Sequence, residues 1–309
     1  MAGVDLLPAR KPLAYLVPLI EAHDAFLRSS YEFFTSIRVE FADEDGLPKP
    51  GVAIPYVLFA KLIQLGRNVH FLVASGYTEE AEPLGRAMVS AALSLVGIAD
   101  KDPDARALRF MEQASEIRGQ LIKGYIDEGY AKADEIEPRD AEWREEEQDL
   151  LARYAKKGIV PTKIADVNPF TWHGLSDYKL SIAMNASRWY NLYYRNFSDE
   201  AHANVAAVTR ALRLLYDKKT VKVGPSFNDL WMVMFASGDT LGECLGQLDT
   251  LYALKRRAET DKINETFGEA LRKHRAAMPD ADMPLTLKPA SSSASAGAST
   301  TASAPEKST

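Results

Sequence analysis

The sequence predicts an all-α protein that folds as a multi-helix bundle, and three observations support this. Apolar residues recur at spacings of three and four through most of the chain. No segment alternates apolar and polar residues between turn signals, as a half-buried strand would. Proline, glycine and capping residues fall at the breaks between the periodic segments. With 309 residues, of which 46% are hydrophobic, the chain is long enough for one large or two moderate cores.

Four helices are predicted in the first part of the chain, over residues 12–41, 55–75, 79–99 and 103–127. Pro18 is expected to bend the first of these helices, because proline lacks the amide donor of the helix ladder. Gly76 is expected to end the second helix and Thr78 to cap the third. Asp102 is the predicted N-cap of the fourth helix, with Pro103 at its first position. The third helix carries a core-facing stripe: Leu84, Met88, Ala91, Leu95 and Ile98.

The rest of the chain divides at changes of composition. Residues 127–165 are predicted to form an acidic helical arm and loop, within a helical domain over 1–220. Helices are predicted over 176–216, 227–257 and 259–277, and the last two would form a C-terminal hairpin at 221–284, packed on that domain. The tail at 285–309 is rich in Ser, Ala and Thr and has no apolar anchor, so it is expected to be disordered.

Charge and targeting signals exclude several classes of partner. The formal charge of −6 gives no overall attraction to nucleic acid or to an anionic membrane. Pro18 and Glu21 interrupt the N-terminal apolar stretch too early for a signal peptide. The longest apolar run, 87–99, is shorter than the roughly 20 residues that span a bilayer. A cytoplasmic protein without a membrane partner is therefore predicted.

The common cofactor, metal and nucleophile motifs are missing from the sequence. It contains neither phosphate-binding glycine pattern, no H-E-x-x-H pair and no G-x-S-x-G elbow. Cys244 is the single cysteine, which excludes an internal disulfide and a cysteine zinc cluster. No metal site and no cofactor are predicted. The five histidines are scattered along the chain: His23, His70, His173, His202 and His274.

The stretch "YYRNFSDEAHANV" is the strongest candidate for chemistry. On a continuous helix Tyr194, Ser198 and His202 would form one stripe, with Arg195 close to the same face. Histidine can take a proton from a 2′-hydroxyl, and the arginine fork can hold the charge that builds on a phosphate. The pattern fits metal-free RNA cleavage, and it equally fits polar contacts between bundle helices.

A basic cluster follows this stretch and would give an acidic protein a local patch for RNA phosphates. Its members are Arg210, Arg213, Lys218 and Lys219.

Three motifs resemble the bacterial family called domain of unknown function 5677. They are "EPLGRAMVSAALSLVGIADKDPDARALRFMEQAS", "WHGLSD" and "WYNLYYRNFSDEAHANV", and the likeness covers residues 13–208. The pattern falls on Leu84 and Arg86, on Trp172, Gly174 and Ser176, and on Tyr194, Ser198 and His202. This chain has Ser90 where the family often has an acid, so a buried Arg86 would need another partner, for which Glu82 is the candidate.

The motif "RNFSDEAH" also resembles the HEPN class (higher eukaryotes and prokaryotes nucleotide-binding), many of whose members are metal-independent endoribonucleases. They act as dimers in defence or toxin systems. The resemblance implies that His202 is the base, Arg195 the phosphate binder and Asn196 the polar helper. Four residues would support them: Arg86, Trp172, Tyr194 and Ser198.

Two functional hypotheses follow. The first is a HEPN-like ribonuclease that forms a homodimer and acts on RNA. The second is a non-catalytic helical scaffold, in which the same residues are structural and the acidic arm or the C-terminal helices bind a protein partner.

Overall fold

The computed structural model describes residues 3–6, 14–130, 132–161, 172–201, 220–223 and 230–277. The described part is a bundle of helices, which confirms the all-α prediction. A short parallel pair of strands, β1 (Gly3–Leu6) and β2 (Thr220–Val223), accompanies them. The helices are α1 (Val17–Thr35), α2 (Pro50–Ala74), α3 (Thr78–Asp100), α4 (Pro103–Asp127), α5 (Ala133–Lys156), α6 (Asp177–Ala183), a π-helix (Trp189–Tyr194), α7 (Arg195–Ala201), α8 (Leu230–Leu251) and α9 (Arg257–Ala277).

One large core joins most of these helices. Helices α2 and α3 pack closely on each other, α8 packs against both, and α1 and α9 lie over α8. The predicted stripe of α3 faces inward: Met88, Leu95 and Ile98 are fully buried, and Leu84 and Ala91 are partly buried. Burial of this apolar surface is the main force that holds the bundle together.

The sequence predicted which residues end or cap helices at three positions, and the structure confirms two of these predictions. Gly76 follows the last turn of α2 with φ of +85°, a conformation that glycine adopts without strain. Asp102 caps α4 and accepts a hydrogen bond from the Ala105 amide at 3.4 Å, with Pro103 as the first helical residue. The prediction for Thr78 was wrong: Tyr77 is the N-cap, and Thr78 is the buried first residue of α3.

The other differences between the predicted and the observed helices lie at two prolines and at one turn. Pro18 lies in the first turn of α1 and does not bend the helix, because the amide that proline lacks has no helical partner there. Pro50 opens α2 in the same way, five residues before the predicted start. The helix predicted over 176–216 is interrupted near Asn185, which has φ of +53°. The predicted tail at 285–309 lies outside the described residues.

Helix α2 is long and apolar enough to cross a membrane by length and composition. It packs against α1, α3, α4 and α8, and Phe59, Leu62 and Val69 are fully buried in the core. Both features are those of a helix in the core of a bundle.

The contact between α8 and α9 leaves no room for a side chain at Gly238. A Cβ at this position would lie 2.1 Å from Cε1 of Phe267. We expect Gly238→Ala to lower the free energy of unfolding by about 1–3 kcal/mol through overpacking. Gly124→Ala in α4 is the matched control, since nothing lies within 4 Å of its added Cβ, and it should stabilise the protein by about 0.5–1 kcal/mol. Urea unfolding of both variants measures the difference, and equal effects would contradict the packing explanation.

Candidate functional site

The candidate stretch begins in a π-helical turn, which the sequence did not predict. The π-helix Trp189–Tyr194 continues directly into α7, which begins at Arg195. Single π-helical turns are rare within helices and occur frequently at functional sites. Its buried residues, Trp189 and Tyr193, are four positions apart and both contact the core.

Asp239 of α8 fixes this π-helix in place. Its carboxylate accepts hydrogen bonds from Trp189 Nε1 at 3.0 Å, from the Tyr193 hydroxyl at 3.3 Å and from Arg188 Nη2 at 2.8 Å. Burial raises the pKa of Asp239 above the ordinary carboxyl value, although Arg188 and the two hydrogen-bond donors act in the opposite direction. Three donors from one turn thus converge on one acceptor of another helix.

Arg86 of α3 contacts the end of the π-helix. Its Nη2 donates a hydrogen bond to the Tyr194 hydroxyl at 3.0 Å, and its guanidinium carbon lies 4.7 Å from the centre of the Tyr194 ring. Burial raises the pKa of Tyr194, Asp177 raises it further and Arg86 opposes the shift. Tyr194 is therefore a partner of Arg86, while Glu82, the partner suggested by the sequence, is a buried residue of the same helix.

A row of tyrosine rings extends from this contact. Tyr190 stacks on Tyr194 with ring centres 5.0 Å apart, and Tyr178 lies 5.2 Å from Tyr190 at a tilt of 53°. Tyr178, at the outer end of the row, is 44% exposed. We call these three residues, Tyr178, Tyr190 and Tyr194, the tyrosine row. Exposed aromatic rings of this kind can stack with unpaired nucleobases.

Two predicted supporting residues make internal contacts. Ser198 donates a hydrogen bond from Oγ to the Tyr194 carbonyl at 2.5 Å, one turn back along the chain. Trp172 is buried in a separate apolar cluster with Ile98, and its Nε1 donates to Ser94 Oγ at 3.3 Å. The first bond is local to one helical segment, and the second joins the turn before α6 to α3. Both are bonds expected of residues with a structural role.

Arg195 and Asn196 differ from the supporting residues because both are exposed at the start of α7. The Asn196 side-chain amide donates to the Leu192 carbonyl at 2.7 Å, across the junction with the π-helix. Arg195 makes no ion pair with the described side chains. An exposed guanidinium without a carboxylate partner can bind a phosphate.

The remaining predicted site residues lie outside the described residues. The base, His202, follows the last residue of α7 in the sequence, and the predicted basic cluster comes after it. Their roles stay predictions. The members of this group are His202, Arg210, Arg213, Lys218 and Lys219.

A buried polar network, which sequence reasoning missed, joins three other helices. His23 of α1 lies with Nδ1 3.4 Å from His70 Nδ1 of α2 and with Nε2 3.0 Å from Ser237 Oγ of α8. Burial lowers the pKa of His23 to about 3, and the neighbouring His70 adds to the effect. His23 and Ser237 are fully buried, so a substrate has no access to them. Separations of 47 and 214 residues along the chain left no sequence signal for this network.

The described residues contain no group of three His, Cys, Asp or Glu side chains that could hold a metal ion.

Comparison with known proteins gives one match. The model of a family of unknown function, DUF5677, matches residues 52–219, which is more than half of the chain. No curated protein matches the sequence, and no solved structure matches it. The matched region contains all but the first two residues of α2 and the whole of α3 to α7, and thus the π-helix, the tyrosine row and the start of the candidate stretch. The chain therefore belongs to DUF5677, a family whose function is unknown.

Proposed function

We propose that this protein is a metal-independent endoribonuclease that cleaves single-stranded RNA with Arg195 and His202. The observation that supports it best is the exposed Arg195, which has no ion-pair partner among the described side chains and directly follows a π-helical turn. The HEPN resemblance implies that His202 is the base that acts with Arg195, and that the reaction needs no metal ion. The same resemblance implies that the enzyme acts as a homodimer in a defence or toxin system.

The proposed RNA cleavage requires a base and a phosphate-binding cation beside the same phosphodiester. His202 accepts the proton of the 2′-hydroxyl, and the resulting oxygen attacks the neighbouring phosphorus. Arg195 binds the non-bridging oxygens, on which negative charge builds in the transition state. The bond to the 5′-oxygen of the next nucleotide breaks, and this oxygen takes up a proton. The products are a 2′,3′-cyclic phosphate and a free 5′-hydroxyl.

The tyrosine row supports single-stranded RNA as the substrate. Unpaired bases stack on exposed aromatic side chains, whereas the bases of a duplex are already stacked on each other. The row ends at Tyr194, the residue before Arg195, so a base on the outer ring of Tyr178 would bring its strand towards the arginine.

The second hypothesis is a non-catalytic scaffold, and the supporting residues favour it. Tyr194, Ser198 and Trp172 all make internal hydrogen bonds. The bonds of Tyr194 to Arg86 and of Trp172 to Ser94 join separate elements, and the bond of Ser198 stabilises its own turn, whether or not the protein is an enzyme. At this site the two hypotheses differ in the role of Arg195 and His202, and the scaffold hypothesis adds a protein partner bound by the acidic arm or the C-terminal helices.

Cleavage of labelled single-stranded RNA and tRNA in EDTA tests the proposal. The wild type should produce 2′,3′-cyclic phosphate ends. Arg195→Ala and His202→Ala should each lower the rate by at least about 100-fold, because each removes a group that acts in the transition state. Arg195→Lys should retain part of the activity, since lysine keeps the charge and loses the planar fork.

Arg272→Ala is the matched control, because Arg272 is an exposed arginine of α9 that the mechanism does not use. It should cleave at the wild-type rate. Circular dichroism must show native helix content for each variant, and His202→Asn provides a second variant if His202→Ala loses its fold. Folded wild type that cuts none of these RNAs would reject the nuclease and leave the scaffold.

A further inference from the structure

Helices α4 and α5 form a two-helix arm on the bundle. Among the described helices α5 packs only against α4, whereas α4 also contacts α2 and α3. The base of the arm is well anchored: the Tyr154 hydroxyl donates to the Pro48 carbonyl at 2.7 Å, and its ring is buried with Leu47 and Leu108. The outer half of the arm has no such anchor among the described residues, and its surface is open to a partner.

Helix α4 exposes an apolar stripe along this outer half. Ile117, Leu121 and Tyr125 follow each other at intervals of four residues, so they lie on one face of the helix. Their exposed fractions are 40%, 57% and 54%. Single exposed apolar residues are ordinary, whereas a contiguous row marks an interaction surface.

Two cavities lie between the arm helices. They are separated by Arg118, whose guanidinium carbon lies 4.5 Å from the centre of the half-exposed Trp143 ring. The larger cavity, of about 400 Å³, is lined by apolar side chains that include Met111 and Leu150. The smaller, of about 290 Å³, is lined by Ile122 and Ile136. Polar side chains share the lining of both cavities, with Ser115 and Glu147 in the larger and Asp140 in the smaller. Each has room for a large apolar side chain of a partner.

A row of carboxylates runs beside the cavities on α5. Glu142, Glu145, Glu146 and Asp149 are spaced by three or four residues, all are exposed, and none makes an ion pair with the described side chains. Glu146 also lines the larger cavity. We call these four residues the acidic row. The arm therefore combines partly apolar cavities with a rim of carboxylates that make no ion pair with the described side chains.

We infer that the arm binds a basic amphipathic helix of a partner protein. Its apolar side chains enter the two cavities beside Trp143, and its lysines or arginines face the acidic row. This is the recognition of a helix in a groove, with charge complementarity at the rim. RNA and anionic lipid are repelled by the same carboxylates, and so is the arm of a second copy. The inference is independent of the proposed RNA cleavage.

Binding of a labelled synthetic peptide to the full-length protein tests the inference. The probe is an amphipathic helix of about 20 residues, with leucines on one face and lysines on the other, followed by fluorescence anisotropy. A peptide of the same composition in scrambled order and one with Glu in place of each Lys serve as controls. The first peptide should bind at least about tenfold more tightly than either control, and its binding should weaken with added salt.

Two variants test whether the peptide binds at the acidic row and Trp143. The triple variant Glu142→Gln, Glu145→Gln, Glu146→Gln should weaken peptide binding about tenfold or more, and so should Trp143→Ala. The matched control replaces three exposed glutamates elsewhere, Glu44→Gln, Glu265→Gln and Glu269→Gln, with the same change of charge. It should bind like the wild type.

Four results would overturn the inference. The first is equal binding of the scrambled peptide, because the protein would then respond to charge alone. The second is wild-type binding by the arm variants that keep native circular dichroism. The third is self-association of the free protein that Leu121→Ser abolishes in sedimentation, since the stripe would then be covered by a second copy. Absence of any peptide binding to the wild type also rejects it.

Discussion

Replacing Asp239 with alanine is expected to lower the free energy of unfolding by about 2–6 kcal/mol, the cost of leaving two buried hydrogen-bond donors without an acceptor. The substitution leaves Trp189 Nε1 and the Tyr193 hydroxyl without their acceptor, while both side chains are at most 2% exposed. Each unsatisfied buried donor costs about 1–3 kcal/mol. Arg188 contributes little to this loss, because its side chain is 58% exposed and its charge is screened by water. Urea unfolding of the purified protein measures the change.

Glu243→Ala, one turn further along α8, is the matched control. Glu243 is an exposed carboxylate of the same helix, so its removal should change the free energy of unfolding by no more than about 0.5 kcal/mol. Asp239→Asn keeps one acceptor oxygen and should lie between the two. A loss below about 1 kcal/mol for Asp239→Ala would mean that Asp239 does not fix the π-helix.

Acid is expected to destabilise the protein through His23 between pH 6.5 and pH 3. The folded pKa of His23 is lowered from 6.5 to about 3 by burial, so the unfolded state binds the proton more tightly in this window. The stability that neutral His23 contributes is fully present above pH 6.5. Each pH unit below 6.5 lowers the free energy of unfolding by up to about 1.4 kcal/mol, until the folded pKa is reached. Urea unfolding at pH 7.5, 6.5, 5.5 and 4.5 measures the slope.

His23→Gln removes the titrating group and should reduce this slope by about 1.4 kcal/mol per pH unit. It should also destabilise the protein at pH 7.5, because the hydrogen bonds to His70 and Ser237 are disturbed. His173→Gln is the control: its pKa is also lowered by burial, but the side chain is only partly buried and lies before α6. An unchanged slope in His23→Gln, or an equal reduction in both variants, would contradict the role of His23.

The parts of the fold that could be predicted from the sequence are those determined by neighbouring residues. Helix α4 runs from Pro103 to Asp127, as predicted, because Asp102 and Pro103 determine its start through contacts with their immediate neighbours. The stripe of α3 is equally local, since helical spacing brings its members to one face. The end of α1 was predicted six residues too late, at residue 41 where the helix ends at Thr35, since apolar residues continue beyond it in an extended loop.

The candidate site was predictable only in part. Tyr194 and Ser198 lie one turn apart, as predicted, and the bond between them is local. The π-helix that ends at Tyr194 was not predicted, because Asp239 stabilises it from a position 46 to 51 residues later in the chain. The hydrogen bond from Arg86 to Tyr194 spans 108 residues and was likewise invisible, although both residues belonged to the family pattern.

By itself the sequence determined the helical class, most helix positions, the acidic character of the arm and membership of DUF5677. These properties depend on spacing and residue type within a few turns, where the chain supplies its own partners. Only the tertiary structure decided which residues meet: Asp239 with the π-helix, His23 with His70 and Ser237, and Trp143 with Arg118 between two cavities. Such contacts are made between helices, and nothing in the local pattern specifies which distant side chain completes a hydrogen bond or leaves a groove open.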